Sequence, residues 1–230
     1  MNVEQYIQNT RNQSVNMQYK ILLYGQAGVG KSSVIPTIDN PLVFLIEDGN
    51  ALISLANLDI PFIKINNFQH LLDCVEYFKA DTRFNTLVVD SLSEASLMHV
   101  QDLLKGKSNG GNKVHGQQAY GRLLDDFDTL FDKFAQCRQD IVCFAKQMRF
   151  ISDEGKETFY PMFAGKAIAP IMQHEFDAVI SMEKDMQGNR FLRTTSNYQY
   201  FAKARSAVAL FEQEEAHVGK LLNKIRGINV

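Results

Sequence analysis

Cysteine is scarce in this sequence, basic charge is not in excess, and no apolar run is long enough to span a bilayer. The three cysteines, Cys74, Cys137 and Cys143, have neither paired nor metal-like spacing, so they read as reduced core thiols. A formal net charge of −2 excludes a uniformly basic nucleic-acid binder while leaving room for local basic loops. The segment after Met1 is polar and has no apolar signal core, so the expected compartment is cytoplasmic, with no membrane partner. No internal repeat, low-complexity tract or linker divides the 230 residues, so one α/β domain with a sizeable core is expected. The Asn- and Gln-rich residues 1–19 read as an N-terminal arm and residues 20–230 as that domain.

What is present is one stretch around which the rest is organised. Gly25-Gln26-Ala27-Gly28-Val29-Gly30-Lys31-Ser32 fits G-x-x-x-x-G-K-[ST], the phosphate-binding loop. The apolar run 20–24 before it is short enough for a buried strand, and Ser32-Ser33-Val34-Ile35 after it can open a helix. Glycines let the backbone turn tightly and aim successive N–H groups at one point. A helix N-terminus at that point favours anions further. Residues 25–33 are therefore expected to bind ATP by its phosphates, with Lys31 on the β- and γ-phosphates and Ser32 on Mg²⁺.

Downstream, apolar runs alternate with helical periodicity. Residues 41–47 and 61–65 read as strands, and Phe68, Leu71, Leu72, Val75 and Phe78 recur at helical spacing. Residues 86–91 form an apolar strand ending in a carboxylate, and 93–104 read as a helix. Leu123, Leu124, Phe127, Leu130, Phe131 and Phe134 share one face of a helix over 120–134. Residues 140–147 are a further buried strand with a polar end. Then follow a helix over 167–175, a strand over 177–182, short strands over 191–195 and 198–203, and a charged terminal helix over 212–224. Two irregular stretches interrupt the pattern: the Gly-, Asn- and Lys-rich residues 105–116, and residues 148–165, which mix basic and aromatic side chains. The alternation predicts an α/β fold, a mainly parallel sheet with helices on both faces and short antiparallel strands near the C-terminus.

Ligands of such sheets bind at strand carboxyl ends, where Glu47, Asp90 and Gln147 all stand. An Asp ending the strand downstream of a phosphate loop holds Mg²⁺, so Asp90 joins Ser32 as the expected metal pair. Ser91 stands where a catalytic Glu often follows that Asp. The carboxylate that orients the attacking water is then Glu47, with Glu94 second and Asp48 third.

Four stretches in this order resemble the RecA-like recombinase core over roughly residues 20–205. They are residues 25–32, Phe44-Leu45-Ile46-Glu47, Leu87-Val88-Val89-Asp90-Ser91, and Cys143-Phe144-Ala145-Lys146-Gln147-Met148-Arg149. The small size is most similar to the short RecA-like ATPases of bacteriophages that assist single-strand annealing. The resemblance implies a P-loop NTPase with catalytic Lys31 and Glu47, and with Gln147 sensing the γ-phosphate and leading into a DNA-binding loop. It also implies that Lys203 and Arg205 reach a neighbour's nucleotide. The partners it implies are single-stranded DNA, further copies of the chain with nucleotide at the subunit interface, and a single-strand-binding or replication protein. The compartment is then a host cytoplasm. Acidic Asp153 and Glu154 beside the basic residues depart from the pattern of the DNA-binding loop.

The expected function is ATP hydrolysis acting on single-stranded DNA in recombination or strand annealing. Two other classes share these motifs: a motor or loader for a protein partner or duplex DNA, and a nucleotide-binding switch without turnover. Within residues 1–200 no Arg or Lys near a motif stands out as a transition-state cation from the same chain. Lys203 and Arg205, two apart, share a face if the strand continues, a geometry that can present both cations to the neighbour's γ-phosphate, as the RecA-like resemblance implies.

Overall fold

The computed structural model describes residues 17–47, 55–106, 115–165 and 172–228. Strand β1 (Lys20–Gly25) is central, paired in parallel with β5 (Asp140–Ile151) on one side and β7 (Ala178–Lys184) on the other. Beyond β5 lie β4 (Thr86–Asp90), β2 (Pro41–Leu45) and the edge strand β3 (Phe62–Lys64), all parallel. Beyond β7 lie the antiparallel strands β8 (Arg190–Arg193) and β10 (Gln213–Glu215). Two further strands branch from this path: β6 (Glu157–Pro161) on β5 and β9 (Lys203–Ala204) on β7, both antiparallel. This is the mainly parallel, RecA-like P-loop NTPase fold.

Both faces of the sheet are covered, which is why the parallel strands read as continuous apolar runs. Leu22 and Tyr24 of β1 point into one core with helices α1 (Phe68–Phe78), α2 (Leu92–Leu104) and α3 (Gly116–Ala135). Ile21 and Leu23 point into the other, with the short 3₁₀ turn Ser32–Thr37 and helix α4 (Val218–Arg226). Side chains tie down the start of β1: Tyr19 N–H donates to Asp140 Oδ1 (2.9 Å) and Lys20 N–H to Asp177 Oδ2 (2.9 Å). Asp140 in turn pairs with Arg226 at 2.5 Å, fastening α4 to the same end of the sheet. The three cysteines are buried and free, and burial pushes the Cys137 thiol up to about 12.

Four expectations are corrected. After the phosphate loop the chain makes a six-residue 3₁₀ turn, not an α-helix. Pro36 has no N–H to donate to the Ser32 carbonyl, so an α-helical hydrogen bond of the first turn cannot form. The run 140–147 extends to Ile151 and folds back as β6, so 148–161 is a hairpin rather than a loop. The strand expected over 198–203 shrinks to Lys203–Ala204. There Asn197 Oδ1 accepts from the N–H groups of Gln199 (2.8 Å) and Tyr200 (2.7 Å), turning the backbone. The terminal helix begins at Val218 rather than 212, because residues 213–215 are drawn into β10, and His217 caps the helix by accepting from Lys220 N–H (3.2 Å). Of the helix expected over 167–175, residues 167–171 lie outside the described residues, as do residues 1–16 of the arm.

Candidate nucleotide site

The loop sits where β1 ends between its two neighbours. A Cβ on Gly25 would stand 2.7 Å from the Met182 carbonyl oxygen, so only glycine lets β1 end this close to β7. Gly28 (φ 74°) and Gly30 (φ 103°) take left-handed backbone that other residues rarely adopt. Val29 is buried and anchors the loop, while Gln26 and Ala27 are exposed at its rim. Because the following turn is so short, anion binding here rests on the loop's own N–H groups rather than on a helix dipole.

Lys31 folds back over the loop and donates to the carbonyl oxygens of Gly25 (2.9 Å) and Gln26 (3.2 Å). Burial lowers its pKa, opposed by the nearby carboxylates of Asp90 and Glu47. Ser32 Oγ donates to Asp90 Oδ2 at 2.8 Å, so the two expected Mg²⁺ ligands already face each other. Asp90 is 3% exposed, and burial pushes its carboxyl up to about 6, against the pull of the Ser32 hydroxyl. Two hard oxygen donors suit Mg²⁺, which keeps several waters and takes substrate phosphates to complete its shell. Among the described residues no cluster of three or more His, Cys, Asp or Glu could hold a metal by itself. Ser33, the last residue expected to bind nucleotide, donates its N–H to the Gly30 carbonyl (3.1 Å) within the turn.

Glu47 reaches this pair from β2. The N–H of Ile46 donates to the Asp90 carbonyl (2.7 Å), fixing the end of β2 beside the end of β4. Ser91 Oγ donates to Glu47 Oε1 at 3.2 Å, so the residue in the usual catalytic-Glu position instead holds the carboxylate from the adjacent strand. Lys146 lies 3.6 Å from Glu47 and makes a tight ion pair with Glu94, which raises its pKa. Glu94 is thus committed to a lysine, and Glu47 is the less encumbered of the two carboxylates. Asp48 lies outside the described residues.

Gln147 follows Lys146 and, with loop residues 26–29 and Tyr200, lines a cleft of about 200 Å³. The sheet register puts Lys203 and Arg205 elsewhere. Lys203 pairs with Val179, beside Leu22 near the start of β1, and Arg205 sits 3.8 Å from Asp177. They lie toward the amino ends of the strands, away from their own chain's loop. Besides Lys184, which lines the same cleft, two cations that the sequence does not single out lie near the loop. One is Lys146. The other is Arg190, whose guanidinium carbon stands 2.5 Å from where a Cβ on Gly30 would be. The structure thus brings same-chain cations near the loop that the sequence pattern does not mark as transition-state cations. The signal for Lys146 was its place one residue before Gln147; for Arg190 there was none, since only the β7–β8 pairing brings it there. Of the basic stretch 105–116, residues 107–114 lie outside the described residues, and no described helix is long and apolar enough to cross a membrane.

No curated protein matches the chain. Among solved structures, a KaiC-like protein from the hyperthermophilic archaeon Pyrococcus horikoshii is 11% identical with a TM-score of 0.47, covering 76% of this chain and 77% of that one. An ATPase from the type III secretion system of pathogenic bacteria is 14% identical with a TM-score of 0.47, covering 74% of this chain and 52% of that one. An AAA domain family model matches residues 17–206, from just before β1 to just past β9. Since that match spans most of the 230 residues, the chain belongs to the AAA domain family, and its phosphate loop makes it a nucleotide-binding, ATPase-like domain.

Proposed function

We propose that this chain hydrolyses ATP with Mg²⁺ and couples hydrolysis to single-stranded DNA in recombination or strand annealing. The observation that carries the hydrolytic part is the convergence of Lys31, the Ser32–Asp90 pair and Glu47 at the carboxyl ends of β1, β4 and β2. Bound Mg²⁺ neutralises charge developing on the phosphates. Lys31, released from the loop carbonyls, holds the β- and γ-phosphates. Glu47 accepts a proton from the attacking water while Ser91 fixes its orientation.

The DNA part rests on what Gln147 is attached to. Directly after it comes the β5–β6 hairpin, whose Phe150 and Ile151 are 52% and 53% exposed beside Arg149 and Lys156. An exposed ring near cations suits single strands, which are held by base stacking and backbone charge, although Arg149 is here paired with Glu157 at 2.6 Å. The hairpin is also fastened to the loop's own strand: Tyr24 Oη donates to the carbonyls of Phe201 (2.7 Å) and Phe159 (3.1 Å). A shift at Gln147 on loss of the γ-phosphate has a short, hydrogen-bonded route to the hairpin.

The test is the ATPase rate with and without single-stranded DNA. Stimulation by DNA is expected, with binding that weakens steeply as salt rises because phosphate contacts release counterions. Phe150→Ala is expected to weaken DNA binding about 10–100-fold by removing a stacked base's partner. Stimulation only by a protein would identify a motor or loader, and nucleotide binding without turnover a switch. No single-strand binding at low salt with ATP present would reject the DNA reading.

Lys203 and Arg205 belong to the same proposal as cations lent to a neighbouring subunit. Their distance from their own loop is what a trans role needs. A Lys203→Ala, Arg205→Ala chain and a Lys31→Ala chain, each inactive alone, are expected to recover some activity when mixed. No recovery despite co-assembly would make these two cations surface residues.

A further inference from the structure

Arg190, like Lys31, is a cation at this loop that no carboxylate holds among the described residues. Its guanidinium lies on Gly30, with Nε and one terminal nitrogen each 2.8 Å from where a Cβ would be, and it has no ion pair among the described residues. It is exposed, yet its backbone is fixed. Arg190 opens β8 opposite Lys184 of β7, and the intervening turn is closed by Asp185. That carboxylate accepts from the N–H groups of Gln187 (2.9 Å) and Asn189 (2.8 Å) and from Asn189 Nδ2 (3.0 Å), with Gly188 in left-handed backbone (φ 87°). Hydrogen bonding, from the Asn189 side chain first, holds the Asp185 carboxyl below its ordinary range. The hairpin therefore presents an arginine to the loop from a pinned base.

Charge gives that arginine a task. A triphosphate entering the site meets Glu47, Asp90 and Glu94, while Lys146 is already engaged by two of these carboxylates. Mg²⁺ and Lys31 together do not offset the triphosphate. Gly30 is part of the loop whose N–H groups address phosphate, so an oxygen bound there lies about 3 Å from an amide nitrogen. A guanidinium packed on the same residue stands next to that position, and its planar fork matches phosphate geometry.

We propose that Arg190 is a phosphate-binding residue of the nucleotide site, contributed by the same chain, which leaves Gly30 to donate to the phosphates of bound ATP. This rests on the nucleotide-binding reading above and adds a same-chain cation to it.

The experiment is calorimetric titration of MgATP into the wild-type protein and into Arg190→Met, Arg190→Lys and Lys31→Ala variants. Arg190→Met keeps an unbranched stem against Gly30 but removes the charge, and is expected to raise Kd about 10–100-fold. Arg190→Lys restores a point charge and is expected to recover much of that loss. An unchanged Kd in Arg190→Met, with Lys31→Ala impaired, would overturn the proposal while leaving the nucleotide site intact. Equal losses in the Met and Lys variants would point to loop packing rather than charge, and would overturn it too. If Lys31→Ala also binds as wild type, the nucleotide site itself is misassigned and the proposal falls with it. Mixing Arg190→Met with Lys31→Ala chains is expected to restore nothing, since each lacks a cation in its own site; recovery would overturn the same-chain assignment.

Discussion

Glu47→Gln is expected to bind MgATP normally and to turn it over about 10²–10⁴-fold more slowly, the usual loss when a general base is removed. The amide keeps the shape of the carboxylate and can still accept from Ser91 Oγ, so the end of β2 stays in place. What is lost is the ability to take a proton from water. Glu94→Gln is the informative partner. Its carboxylate is spent on Lys146, so its loss frees that lysine to pair with Glu47 and is expected to slow turnover less. Single-turnover rates of the two variants separate the roles. A severe defect in Glu94→Gln with near-normal turnover in Glu47→Gln would exchange them.

Asp90→Asn is expected to make the protein more stable and nearly inactive at once. Burial raises the Asp90 carboxyl to about 6, above its value in an unfolded chain. Between those two values the folded state holds a proton that the unfolded state has released, so stability falls as pH rises through that window and stays lower at neutral pH. Two pKa units correspond to on the order of 2–3 kcal/mol, or roughly 5–10 °C in Tm for a chain of this size. Asparagine can still accept from Ser32 Oγ and removes the buried charge, recovering that stability at pH 7 but not at pH 4. It also removes the anionic Mg²⁺ ligand, so hydrolysis is expected to fall at least about 100-fold. In the wild type, protonation of Asp90, whose carboxyl burial raises to about 6, is expected to weaken MgATP binding as pH falls through that value. Melting curves of both proteins across this pH range check the sign. A destabilised Asp90→Asn protein at pH 7 would show that Asp90 ionises at no cost to the fold.

The parts of this molecule that the sequence made plain are those written in short, contiguous patterns. Residues 20–32 carry a buried strand and a glycine pattern whose two positive-φ positions leave little choice of backbone. Asp90 could be placed because an apolar run on a doubly covered sheet must end where the ligand lies. The departures from the sequence pattern lie where local signals compete. Pro36 opposes an α-helix after the loop, where the motif's usual successor favours one. Gly155 at the tip of Ser152-Asp153-Glu154-Gly155, between β-rich runs, was a hairpin signal obscured by the charges around it. What was not legible depends on strands meeting in register. Ser91 holding Glu47, Lys146 bridging Glu47 and Glu94, and Arg190 lying on Gly30 each join residues from different strands or helices. No spacing within the chain encodes those meetings.

The central claim is that residues 25–32 form a nucleotide site in which Lys31 grips the phosphates and Ser32 and Asp90 hold Mg²⁺. Its most direct measurement is equilibrium binding of ATP, with and without Mg²⁺, to the wild type and to Lys31→Ala. Binding that is strengthened by Mg²⁺ in the wild type and lost in a folded Lys31→Ala protein is the expected result. Equal affinity in the two proteins, or no ATP binding by either, would contradict it.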